Sequence, residues 1–82
     1  MSFKRRLYIA CRSEGVSVEF AKRFATKTEL YHKSLYGRYW NEIRKEIEDC
    51  WYDTLAQSAK EAEDFLKMHE VRRWTGDTKT TS

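Results

Sequence analysis

The sequence contains no proline, and only three of its 82 residues are glycine, at positions 15, 37 and 76. Proline is the strongest helix breaker, so its absence leaves no position at which a helix is forced to stop. Cysteine is equally scarce, with Cys11 and Cys50 alone. A disulfide-stapled secreted scaffold would usually carry four or more, and no secretory leader pattern is present. No apolar run approaches the roughly 20 residues that span a bilayer. These features give the expectation of a cytoplasmic chain with reduced thiols and no membrane partner.

The signatures of catalysis are missing too. There is no glycine-rich phosphate loop and no G-x-S-x-G turn. The neighbouring carboxylates Glu48-Asp49 and Glu63-Asp64 fall on a charged helix face, where solvated acids are the default. Cys11 and His32 offer a thiol and an imidazole but nothing that supplies an oxyanion hole. Cys11, His32, Cys50 and His69 match the ligand count of a tetrahedral zinc site. No two of them stand at the short spacing that organises one, so neither metal nor cofactor is expected. Cys50 is instead read as a small core residue, and His69 as a group favoured by the end of a helix.

What the chain does have is rings and charge. Three Trp, five Tyr and four Phe make 15% of the residues aromatic. A chain this short buries only about 60% of its unfolded surface, and large rings supply much area per residue. The net charge of +3 conceals a division. Residues 1–40 hold nine Lys and Arg against three Glu, a net of +6. Residues 41–82 hold seven against ten acids, a net of −3. Such a division points to an anionic partner for the first half, or to pairing between the two halves.

The clearest pattern lies between Thr28 and His69. Apolar residues recur at Tyr36, Trp40, Ile43, Ile47, Cys50 or Trp51, Leu55, Ala59, Ala62, Phe65 or Leu66, and His69, in steps that follow one helical face. Charged residues occupy the other, with Arg44–Glu48, Lys45–Asp49, Lys60–Asp64 and Glu63–Lys67 at i,i+4. Thr26 and Glu29 fit a capping box at the start of this helix. Unbroken, it would be about 65 Å long, against about 30 Å for a compact globule of this size. Gly37 and the polar stretch 53–58 are the candidate breaks. The favoured reading is a long helix whose stripe Trp40, Ile43, Ile47, Trp51 and Leu55 is covered by a second chain, as a homodimer.

The first 26 residues admit two versions. As helix, Phe3, Leu7 and Cys11 share a face, a turn follows at Ser13–Gly15, and Ser17 caps a second helix. As strand, Leu7–Cys11 and Val16–Phe20 form a hairpin about Ser13-Glu14-Gly15. Helix is preferred over hairpin. Gly76 suits the residue after a helix end, and residues 77–82 have no apolar anchor and read as a disordered tail.

The fold class is therefore mainly α, with a short N-terminal helical or β-hairpin unit packed on a long amphipathic helix or helical hairpin. One domain of residues 1–76 carries the tail 77–82. The function expected is non-catalytic binding, a small regulator or adaptor working through protein contacts. An alternative resembles helix-turn-helix repressors over residues 17–38: Ser17–Ala25 as first helix, Thr28–Tyr36 as second, with a turn near Thr26. Lys4, Arg5, Arg6, Lys22, Arg23, Lys27, Lys33 and Arg38 are the candidate contacts to a protein or nucleic-acid partner. Short, proline-free, charged chains of this kind are frequent among phage and mobile-element genes, an association of composition alone.

Overall fold

A computed structural model describes the backbone of residues 2–81 and the side chains of residues 2–69. Its elements are α1 (Phe3–Ser13), α2 (Val18–Tyr36), a 3₁₀ turn (Gly37–Tyr39), α3 (Trp40–Glu46) and α4 (Asp49–Thr81). Among the described residues there is no strand, so the helical version of the N-terminal unit holds and the hairpin does not.

Local chemistry sets the early boundaries. The Ser2 hydroxyl accepts from the Arg5 amide at 3.3 Å and opens α1. At its other end Gly15, at φ +90°, turns the chain. The Val16 amide then donates to the Cys11 carbonyl at 3.0 Å, and the Gly15 amide to Arg12 at 3.1 Å. This Schellman pairing is completed by Val16 and Cys11, both fully buried. Ser17 caps α2, its hydroxyl accepting from the Phe20 amide at 3.3 Å.

The core is a sandwich built around α1. Its Phe3, Leu7 and Cys11 ridge lies between two faces of small residues, Ala21 and Ala25 of α2 and Ala56 and Ala59 of α4. Small side chains let helices approach closely, and the ridge fills the space they leave. Trp40 and Tyr52 close the end of the sandwich, with ring centroids 5.0 and 5.4 Å from that of Phe3.

The expected long helix from Thr28 to His69 is not continuous. Gly37 breaks it at φ +56°, a conformation glycine adopts readily and other residues do not. A second interruption falls at Ile47–Glu48, where Ile47 is extended at ψ 125°. The polar stretch 53–58 does not break α4. In consequence Lys60–Asp64 and Glu63–Lys67 form as expected, at 3.2 and 3.9 Å. The pairs Arg44–Glu48 and Lys45–Asp49 span the break and do not form. At about 50 Å, α4 accounts for most of the 54 Å long axis of the molecule. It also runs through Gly76, so that glycine does not end it. The expected tail 77–82 falls within the stretch 70–82, whose side chains lie outside the described residues.

Candidate protein-binding surface

Each helix meets α1 with its small side, which leaves larger apolar residues outside. Tyr52, Ala56, Ala59 and Glu63 form the buried face of α4, about one residue's rotation from the stripe read in the sequence. Trp51 is 46% exposed and Phe65 58%, with Leu66 and Met68 similarly open. On α2, Leu30, Tyr31 and Leu35 are exposed as well, whereas the fully buried side chains larger than alanine are Leu7, Val16 and Cys11. A thin core thus leaves much apolar surface exposed on α2 and α4.

Of these residues, Tyr31 and Leu66 line an open groove of about 940 Å³ between α2 and α4. Phe20, Phe24 and Tyr31 line one wall, and Leu55 and Leu66 the other. Arg23 and Lys27 stand on the α2 rim and Lys67 on the α4 side. Two contacts hold the groove's ends in place. At one end the buried Glu63 carboxylate accepts from the Ser17 amide at 3.1 Å and from the Ser17 hydroxyl. The hydroxyl bond holds Glu63 below the ordinary carboxylate range, outweighing burial; the Ser17 amide, Lys67 and Lys60 act in the same direction. At the other end His32 donates from Nδ1 to the Thr28 carbonyl at 2.8 Å. Its ring lies nearly parallel to those of Tyr36 and Trp40, at 5.9 and 5.7 Å, in a three-ring cluster whose other two members are 6.4 Å apart.

The expected self-association stripe is divided by this arrangement. Trp40, 4% exposed, is a core residue and is unavailable to a partner, because the break at Gly37 turns it onto Phe3. Ile43 and Ile47 pack against the core edge, while Leu55 forms groove wall. Trp51 alone of the five stands largely free.

The expected basic set divides as well. Arg6 turns inward, paired with Asp49 and lying 4.5 Å over the Tyr52 ring. Burial raises the Tyr52 phenol above its ordinary value, opposed by Arg6 and aided by Asp49. Lys33 pairs with Glu29 at 3.7 Å, and Arg38 lies over the Tyr39 ring. Lys4, Arg5 and Lys22, remote in sequence, come together around a smaller cleft between α1 and α2. Among the described residues Lys4, Arg5, Lys22, Arg23 and Lys27 make no ion pair. Arg6–Asp49 is the one ion pair there that joins the basic half of the chain to the acidic half.

Four expectations need correction. No turn exists near Thr26: α2 continues through it, so residues 17–38 do not form a helix-turn-helix and the capping box is not used. Cys50 is exposed in the first turn of α4 rather than buried, while Cys11 is in the core. Glu63, read as a solvated acid, is 3% exposed. The small residues Ala56 and Ala59, on the same helical face as Glu63, were the available signal for this face. His69 lies within α4 rather than at its end, its ring 4.1 Å from that of Phe65.

Among the described residues, no group of three or more His, Cys, Asp or Glu is gathered as a metal site requires. Nor, among them, is any helix long and apolar enough to cross a membrane. No protein-family model, curated protein or solved structure matches the chain.

Proposed function

We propose that this chain is a small, non-catalytic helical binding protein whose α2–α4 groove receives an amphipathic helix of another chain. The observation that carries the reading is the way the core is built. Alanine faces are spent on α1, and Tyr31 and Leu66 are left outside on the walls of a groove, with Trp51 and Phe65 also exposed on α4. Apolar grooves flanked by helices bind partner helices through anchors at i, i+3, i+4 and i+7. The rim cations Arg23 and Lys27, unanswered by carboxylates among the described residues, favour acidic flanks on that helix.

The test uses a synthetic amphipathic helix with leucines at those four positions and glutamates beside them. It should bind with micromolar affinity and lose that affinity in Tyr31→Glu and Leu66→Glu, two exposed sites whose change leaves the helix content intact. Indifference of binding to both substitutions, or no binding at all, would count against the groove.

A second reading is supported by the cleft that gathers Lys4, Arg5 and Lys22. Unpaired cations at one site suit the phosphates of a nucleic acid, read without a helix-turn-helix. Affinity for random duplex DNA should then fall with salt, and removing one cation that meets a phosphate should reduce the log–log slope by about 0.9. Lys22→Gln is the substitution to measure, and a slope unchanged by it removes this reading.

A further inference from the structure

The reading of the α2–α4 face as a site for a partner helix leaves the identity of that helix open. We propose that it is α4 of a second copy of this chain, lying parallel to the first about a two-fold axis along the open stripe. The inference rests on the groove reading and goes beyond it by naming the occupant.

Trp51, Leu55, Ser58, Ala62, Phe65 and His69 follow one another in steps of four, three, four, three and four. They therefore share one face of α4, at the spacing of a two-helix seam. None of the six is buried in the chain itself. The seam has Ser58 and Ala62 at its middle and large side chains at both ends, so two copies can approach closely at the centre while Trp51 and Phe65 fill the flanks.

Charge selects the orientation. Glu61 is exposed, borders the seam and makes no ion pair among the described residues. An antiparallel pair centred on the small residues would set Glu61 against Glu61 at the crossing, which like charges oppose. A parallel two-fold pair sets each α4 into the other chain's groove instead. The Ser17–Glu63 contact sets the relative height of the helices within a chain, and Phe3, which meets both His32 and Tyr52, shows that α2 runs opposite to α4 from that point. Arg23 then stands on the rim about six residues below Glu63, roughly 9 Å along the axis. That leaves Glu61 of the second copy about 6 Å above Arg23, within the span of a long cationic side chain. The same chain thus carries an unanswered cation on its groove rim and an unanswered acid beside its seam, which is the self-complementarity an isologous dimer needs.

Sedimentation at about 50 µM, a concentration well above a micromolar dissociation constant, should give twice the chain mass of 9.9 kDa. Phe65→Glu lies outside the core and should weaken the dimer by about 100-fold or more. Glu61→Arg and Arg23→Glu should each weaken it by roughly 5- to 10-fold, and together return it to near the starting affinity. Orientation is read by mild oxidation of Ser58→Cys in a Cys50→Ser background. Parallel copies place the two introduced thiols face to face, so this variant cross-links with itself. A monomer at that concentration, a dimer indifferent to Phe65→Glu, or cross-linking only when Ser58→Cys is mixed with Ala62→Cys overturns the proposal. If the synthetic leucine–glutamate helix still binds a monomeric chain, the groove reading survives and the second copy alone is eliminated.

Discussion

Replacing Ser17 with aspartate separates two roles that this residue combines. Aspartate caps helices as well as serine does, so a purely local role predicts a change within about 0.5 kcal/mol. Here the Ser17 hydroxyl also donates to Glu63, across 46 positions in sequence. The substitution deletes that charge-assisted bond, worth about 1.5–3 kcal/mol, and brings a second carboxylate against a buried one. Together these should cost about 3 kcal/mol at pH 7. For a domain of this size that is roughly 12–24 °C in Tm, at 4–8 °C per kcal/mol. Thermal melts followed by far-UV circular dichroism, at one fixed protein concentration, measure it. Adding Glu63→Gln to Ser17→Asp should recover most of the loss, because the new amide can donate to the new carboxylate. The penalty should also shrink near pH 4, where one acid can be protonated and donate to the other. Equal stability of Ser17→Asp and the native chain at pH 7, or strict additivity with Glu63→Gln, would refute a stabilising link between α2 and α4 at this point.

The native chain has its own acid limit. Because Glu63 titrates below its unfolded value, its contribution is complete above about pH 4.3 and is lost as pH falls through the folded value; Glu63→Gln should flatten stability in that window, and an unchanged acid profile would contradict it. Thiol titration should find one reactive cysteine in the folded chain and two in denaturant, since burial pushes Cys11 up to about 11 while Cys50 is exposed. Rapid labelling of Cys11 under native conditions would mean that α1 is not sandwiched as described. Gly37→Ala meets no neighbouring atom but must hold a positive φ, so chemical denaturation should register a loss of about 1–3 kcal/mol; no loss would place the break elsewhere. Leu7→Ala should cost about 2–5 kcal/mol against less than 1 for Leu30→Ala, which is exposed, and similar values for the two would show the core to be misassigned.

The helical class, the turn at Gly15 and the cap at Ser17 are legible in short stretches of sequence, and Gly37 is legible there as one of two candidate breaks. Each depends on residues within about one helical turn of one another, and local backbone chemistry decides it. Which face of each helix lies inside is a matter of packing between helices, and no single helix carries the answer. The apolar stripe of α4 is broad, and its large members Trp51, Leu55 and Phe65 mark it in the sequence. Yet α1 carries the bulky Phe3 and Leu7, and two helices reach it closely only through small residues. Packing therefore turns the Ala56 and Ala59 face of α4 inward rather than Trp51, Leu55 and Phe65, and Ala21 and Ala25 of α2 rather than Leu30 and Tyr31. That rotation buries Glu63 on Ser17, leaves Cys50 in solvent and opens the groove. Thr26–Glu29 had the local signature of a cap, but the α1 face of α2 spans Ala21 and Ala25 up to His32, and a turn there would have pulled it apart. Likewise Arg6, one of three consecutive basic residues, faces Asp49 and Tyr52 while Lys4 and Arg5 face solvent, since successive residues on a helix point about 100° apart.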